Sequence, residues 1–157
     1  MQSAVELGES ELLAFTCISI SKFTSSVSQA VNSPMPKTIT IENKNRMIEG
    51  TLRIKYCDTF FTQLRGFTLH ASLSREEGLL LVGTRDSRLD SSIHMFFVSF
   101  DLSVIWINSA MQVVDKVLAK SWRPAYFSKQ PACYVLEIHP ERWGDFEIGD
   151  GVEFKDA

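Results

Sequence analysis

Three side chains near the middle of the chain, His94, Asp101 and Ser103, are of the types that proton-transfer chemistry uses. An imidazole titrates close to neutral pH, so His94 could act as a general base or as a polar anchor in a pocket. With Asp101 to orient it and Ser103 as nucleophile, the set would make a hydrolytic triad. Triads are recognised by geometry, however, and the chain holds no GxSxG elbow. No catalytic residue is therefore assigned, and the reading leans away from an enzyme. If the protein is one, it is a small hydrolase or lyase using His94, Asp101 and Ser103. The plain alternative for His94 is a core histidine whose ring nitrogens meet backbone groups.

Recognition is the better supported use of the same stretch. His94, Phe96 and Phe97 lie within four residues of one another. Aromatic rings with one polar anchor suit a surface that holds a small molecule, a glycan or a partner protein. Arg65 could meet an anion there, or else form a structural ion pair. Trp122, with Arg123 and Tyr126, could form the rim. The expected ligand-binding set is Arg65, His94, Phe96, Phe97 and Trp122, with no cofactor.

Metal sites need clustered ligands, and His70, His94 and His139 are scattered, so no metal is expected. Cys17, Cys57 and Cys133 are odd in number and sit in no ligand spacing. That argues against a disulfide framework and favours a reducing, cytoplasmic compartment, with Cys133 a buried inert thiol. A net charge of −3 and the lack of a basic stripe argue against nucleic acid. No apolar run is long enough for stable membrane insertion. The oligomeric expectation is a monomer or weak dimer.

The elements that must position these residues read as short strands. Of 157 residues, enough for one domain, eleven are phenylalanine, which points to a core rich in rings. Ile93–Asn108 is the richest apolar run and reads as two strands joined at Ser99–Asp101. Val104–Ile107 has no polar break, as in a strand covered on both faces. A strand through His94 would put Ser92 and Phe96 on its face and Ile93, Met95 and Phe97 on the other. Further strands are expected at Thr38–Ile41, Thr51–Tyr56, Leu79–Val82, Gln112–Leu118, Tyr134–Ile138 and Val152–Phe154. Gly83–Asp90 reads as an exposed loop, Pro140–Gly144 as a turn, and Gly149-Asp150 as turn chemistry. Asp58 could cap a short helix through Leu64 that Gly66 ends.

Residues 1–34 differ from the rest, being serine-rich and mildly apolar. They are read as a loosely held leader before a single β-rich domain at 35–157, with Met35 as an alternative start. Glu6, Glu9 and Glu11 stand where an export signal needs positive charge, so export would require an atypical signal.

Taken in order, Leu64-Arg65-Gly66-Phe67, Glu77–Leu81, Ile93–Val98, Val104–Ile107, Tyr134–Glu137 and Gly149-Asp150 resemble the bacterial and archaeal family called domain of unknown function 192. The resemblance runs from about Lys37 to Phe154. It implies a compact, mainly antiparallel β-sandwich or partly closed barrel with one or two short helices, and it implies no activity. The chain departs from the family pattern at Asp101, usually proline, at Ser103, usually aspartate, and at Met95, often a small hydroxyl residue. On a strand, Asp101 and Ser103 would share a face about 6–7 Å apart. Asp101 could then replace part of the missing acid, provided that it points towards His94.

Overall fold

Apolar side chains at alternate positions make Thr38–Asn43 a strand, β1, with Ile39 and Ile41 buried. The computed structural model describes residues 37–57 and 72–156, which belong to a compact unit spanning Pro36–Ala157. The further strands are β2 (Arg53–Cys57), β3 (Glu77–Ser87), β4 (Leu102–Ile107), β5 (Val113–Ala119), β6 (Ala132–Ile138) and β7 (Val152–Asp156). A 3-10 turn occupies Pro140–Asp145, where Pro140 opens the first turn without wasting an amide.

Among the described residues the strands form one sheet in the order β5-β4-β6-β3-β2-β1-β7. The β2–β3 pair is parallel and the other neighbours are antiparallel. The sheet curls until its two edges approach. Val113 N donates to Asp150 O at 2.9 Å, Gly149 N to Val113 O at 2.8 Å and Val152 N to Met111 O at 2.9 Å. The fold is thus mainly β, a curled half-barrel.

Two apolar clusters cover the two faces. The inner one joins Ile39, Ile54, Leu80, Ile105, Leu136 and Phe146. The outer one joins Leu79, Val104, Trp106 and Val135 to Ile93, Met95 and Val98. All six residues of β4 are buried, as an unbroken apolar run requires. Gly78 lies between Ile54 of β2 and Ile138 of β6. A Cβ there would come within 2.6 Å of Ile54 Cδ1 and 2.8 Å of Ile138 Cγ2, so only glycine lets the three strands close.

Buried polar groups lock the ends. Lys116 Nζ donates to Phe146 O at 2.8 Å, pairs with Glu147 at 2.8 Å and lies 4.1 Å from the centre of the Trp143 ring. Arg142 pairs with Asp145 and donates to Arg75 O and Glu49 O. Cys57 and Cys133 are free and buried, and Cys133 Sγ donates to Gly83 O. No helix among the described residues is long and apolar enough to cross a membrane.

Two local expectations need correction. Ile93–Val98 is not a strand: Ile93 makes a single bridge to Tyr126, and a turn follows at Phe96-Phe97. Its amides pair with another loop instead of a sheet neighbour. The stretch from Gly83 is not wholly loop, because β3 continues to Ser87 past a register shift and pairs again with Ala132. The helix expected from Asp58 through Leu64, ended by Gly66, falls within residues 58–71, outside the described residues.

Candidate functional site

Ile93 and Met95 are buried in the outer cluster, and their backbones fasten two loops together. Ile93 and Tyr126 exchange both backbone hydrogen bonds, at 3.1 and 2.9 Å. Met95 N donates to Arg123 O at 3.1 Å, and Met95 O accepts from Trp122 N at 3.2 Å. Val98 N reaches Met95 O and Arg123 N reaches Lys120 O, each across four residues, so both segments are β-turns.

In each turn the third residue is aromatic and has positive φ: Phe97 at 62° and Trp122 at 63°. This position normally takes glycine or asparagine. A side chain there costs about 1–2 kcal/mol. Phe97 is 58% exposed and Trp122 59%, so solvent-side burial does not repay the strain. Their rings meet edge to face at a centroid distance of 5.8 Å. His94 and Phe96 stand beside them, tilted at 5.9 Å. The result is a projecting patch of Phe96, Phe97 and Trp122, with the His94 ring at its margin.

The alternation expected around His94 holds in part. Ile93 and Met95 point inward, and His94 and Phe96 face solvent. Phe97, expected on the inner face, is turned outward by its positive φ. His94 is not a core histidine. It makes no hydrogen bond or ion pair among the described residues. Partial desolvation holds its pKa below the usual imidazole value, so it is neutral at pH 7.

The triad is not assembled. Asp101 Oδ2 accepts from Lys120 Nζ at 2.7 Å and Oδ1 from Ser121 N at 2.9 Å. Lys120 first, then Ser121, holds its carboxyl below the usual aspartate value. Ser103 is fully buried on the inner face and donates to Pro140 O at 3.2 Å. Asp101 instead tethers the turn that carries Trp122, beside Tyr126, whose hydroxyl accepts from Lys120 N at 2.7 Å. Buried Asp115 secures the far end of that loop by accepting from Lys129 N at 2.7 Å. Arg65 lies outside the described residues.

Elsewhere on the outer face, a shallow cleft of about 140 Å³ is lined by Ser72, Leu73, Phe100, Asp101, His139 and Pro140. Two residues before His139, β6 carries Glu137, buried between Leu79 and Val104 of the neighbouring strands. Burial pushes its carboxyl up to about 7. Its signal in the sequence was one acid inside the apolar run Tyr134–Ile138. Among the described residues no three His, Cys, Asp or Glu side chains cluster to hold a metal.

A curled half-barrel that bears a pair of strained aromatic turns on its outer face is the class of protein these features define. The chain belongs to domain of unknown function 192, whose family model, described as an uncharacterized ACR, matches residues 40–155. The UPF0127 protein of Thermococcus gammatolerans is 38% identical over 115 residues, which is 72% of this chain and 72% of that protein. The UPF0127 protein of Thermococcus sibiricus is 35% identical over 116 residues, 72% of this chain and 73% of that one. A crystal structure of a protein of unknown function from Novosphingobium aromaticivorans shares the fold. Its TM-score is 0.64 at 20% identity, over 80% of this chain and 89% of that chain.

Proposed function

We propose that the protein is a non-catalytic binding module that docks a partner protein through Phe97 and Trp122. The observation that carries this reading is the pairing of two exposed rings on two strained turns. Strain of this kind persists where the surrounding structure enforces it, and it concentrates at functional positions. Aromatic side chains at the centre of an interface supply most of its binding energy. The rings project and do not line the cleft, which suits insertion into a partner's apolar pocket better than enclosure of a small molecule or glycan. Arg123, which makes no ion pair among the described residues, adds a positive rim that an acidic border on the partner would complement.

The test compares the parent with a Phe97→Ala, Trp122→Ala double variant as bait in quantitative affinity capture. The reading expects a protein retained by the parent and depleted at least tenfold by the double variant, with both baits equally folded by circular dichroism. Equal capture by two folded baits would overturn it.

A further inference from the structure

Turns that carry strain persist only where contacts from outside hold them. In the turn from Lys120 to Arg123 every amide is spent. Lys120 N donates to the Tyr126 hydroxyl at 2.7 Å and Ser121 N to Asp101 Oδ1 at 2.9 Å. Trp122 N donates to Met95 O at 3.2 Å and Arg123 N to Lys120 O at 3.4 Å. An exposed turn with no amide left over for water is set before any partner arrives. Its holders are Asp101 just before β4, Met95 in the facing turn, and Tyr126 further along its own loop.

Of these three, Tyr126 is the one that lies outside both turns and bonds to both segments. Its backbone exchanges hydrogen bonds with Ile93 at 3.1 and 2.9 Å, two residues ahead of the turn that opens at Met95. Its hydroxyl accepts the amide of Lys120, the first residue of the other turn. Its half-buried ring packs against the same outer cluster that holds Ile93 and Met95. The hydroxyl is therefore fixed by the core at one end and takes up the strained turn at the other. Asp101 grips that turn partly through an ion pair with the well exposed Lys120, which water and salt weaken. The bond to Tyr126 is between neutral groups and carries no such dependence.

We propose that Tyr126 is the positioning residue of the aromatic patch, its hydroxyl setting the start of the Lys120–Arg123 turn so that Trp122 meets Phe97 edge to face before a partner docks. The inference rests on the docking reading of Phe97 and Trp122 and adds how the patch is kept ready. Rings already fixed in their bound arrangement lose less freedom on association, so the partner gains affinity from a residue that it does not touch. Phenylalanine at position 126 would fill the same space in the outer cluster and lack only the acceptor for the Lys120 amide.

The experiment compares the full 157-residue chain with its Tyr126→Phe variant by NMR, and then uses both as bait beside the Phe97→Ala, Trp122→Ala double variant. In Tyr126→Phe the Phe97 ring protons are expected to move towards free phenylalanine values as the ring current of Trp122 is lost. Amide exchange at Lys120 and Trp122 accelerates severalfold. The amides of Ile93 and Tyr126, whose bridge the substitution leaves intact, keep their protection. Retention of the partner falls about threefold, the worth of one exposed neutral hydrogen bond, which is a smaller loss than the double variant shows. Unchanged Phe97 ring shifts and unchanged exchange at Trp122 would overturn the positioning role. So would loss of protection at Ile93 and Tyr126 as well, because the hydroxyl would then support the fold and not the patch. Ring shifts that move while the partner is retained as well as by the parent would also overturn it. Equal capture by the parent and the double variant would instead sink the docking reading, and the ring shifts, which need no partner, would still decide the part played by Tyr126.

Discussion

The rings of Phe97 and Trp122 stand 5.8 Å apart at 69°, each borne by a residue with φ near +60°, and the backbone of Met95 holds the two turns together. Neither turn has the residue its geometry prefers. The strain and the ring contact can be separated by choosing what replaces the ring. At an ordinary exposed position, glycine is no more stabilising than alanine. At Phe97 the order should reverse. Both Phe97→Gly and Phe97→Ala lose the ring contact, but only alanine keeps a Cβ in the left-handed region. Phe97→Gly is expected to be more stable than Phe97→Ala by about 1 kcal/mol in urea unfolding. Equal stabilities would mean the backbone there is relaxed.

Asp101 was a candidate for chemistry, and its contacts give it a positioning part. It accepts from Lys120 Nζ and Ser121 N, the residues that lead into Trp122. The ion pair is largely exposed, so Asp101→Ala should cost less than about 1 kcal/mol of global stability. Locally the effect is larger. Amide exchange at Ser121 and Trp122 should accelerate severalfold, while the amides of Val104–Ile107 stay protected. Hydrogen exchange read by NMR checks this, and unchanged exchange at Trp122 would remove Asp101 from the support of the patch.

Glu137 makes stability depend on pH in a direction that buried acids share. Burial raises its folded pKa to about 7 from the ordinary 4.5. Below pH 4.5 the carboxyl is protonated in both states and no ionisation penalty arises. Between 4.5 and 7 the unfolded chain ionises first, so stability falls as pH rises. Above 7 both states are ionised and the full penalty, roughly 3 kcal/mol, remains. Glu137→Gln keeps the shape and removes the ionisation. It should be the more stable protein at pH 8 by up to that amount, with the advantage vanishing towards pH 4.5. Urea midpoints across this range measure it, and parallel curves for the two proteins would refute it.

What could be read in advance was whatever an apolar period controls. The unbroken run Val104–Ile107 announced a strand covered on both faces, and β4 is one. The alternation from Ile93 to Phe96 placed His94 and Phe96 together, and their rings are neighbours. The turns could not be read, because turn rules look for glycine at the position that Phe97 and Trp122 fill. A polarity rule likewise took Gly83–Asp90 for loop, although β3 runs to Ser87 on backbone pairing that side-chain polarity does not report. Asp150 was read as a turn residue because spacing shows its place in the turn and not the distant side chains it gathers.

Those side chains make Asp150 the strongest candidate for a single polar group that holds the barrel shut. Its carboxylate accepts from Arg46 Nε at 2.6 Å, Asn43 Nδ2 at 2.7 Å and Glu147 N at 2.8 Å, while its own carbonyl accepts from Val113 N where β5 meets the start of β7. Burial alone would raise its pKa, but Arg46, Asn43 and the Glu147 amide outweigh that and hold it below the usual aspartate value. The stabilisation is therefore present above the unfolded aspartate pKa, about 3.9, and is lost as pH falls through the lower folded value. Asp150→Ala strands partly buried donors and should cost about 3 kcal/mol at pH 7. Arg46→Ala should cost less, because it leaves the carboxylate two donors and removes a side chain that water already reaches. Asp150→Asn keeps one acceptor and should fall between them. That order, read from urea unfolding at pH 7, together with a flatter acid limb for Asp150→Asn than for the parent, identifies the carboxylate as the closure. If Arg46→Ala proved the costliest of the three, the cation and not the acid would be what the seam depends on.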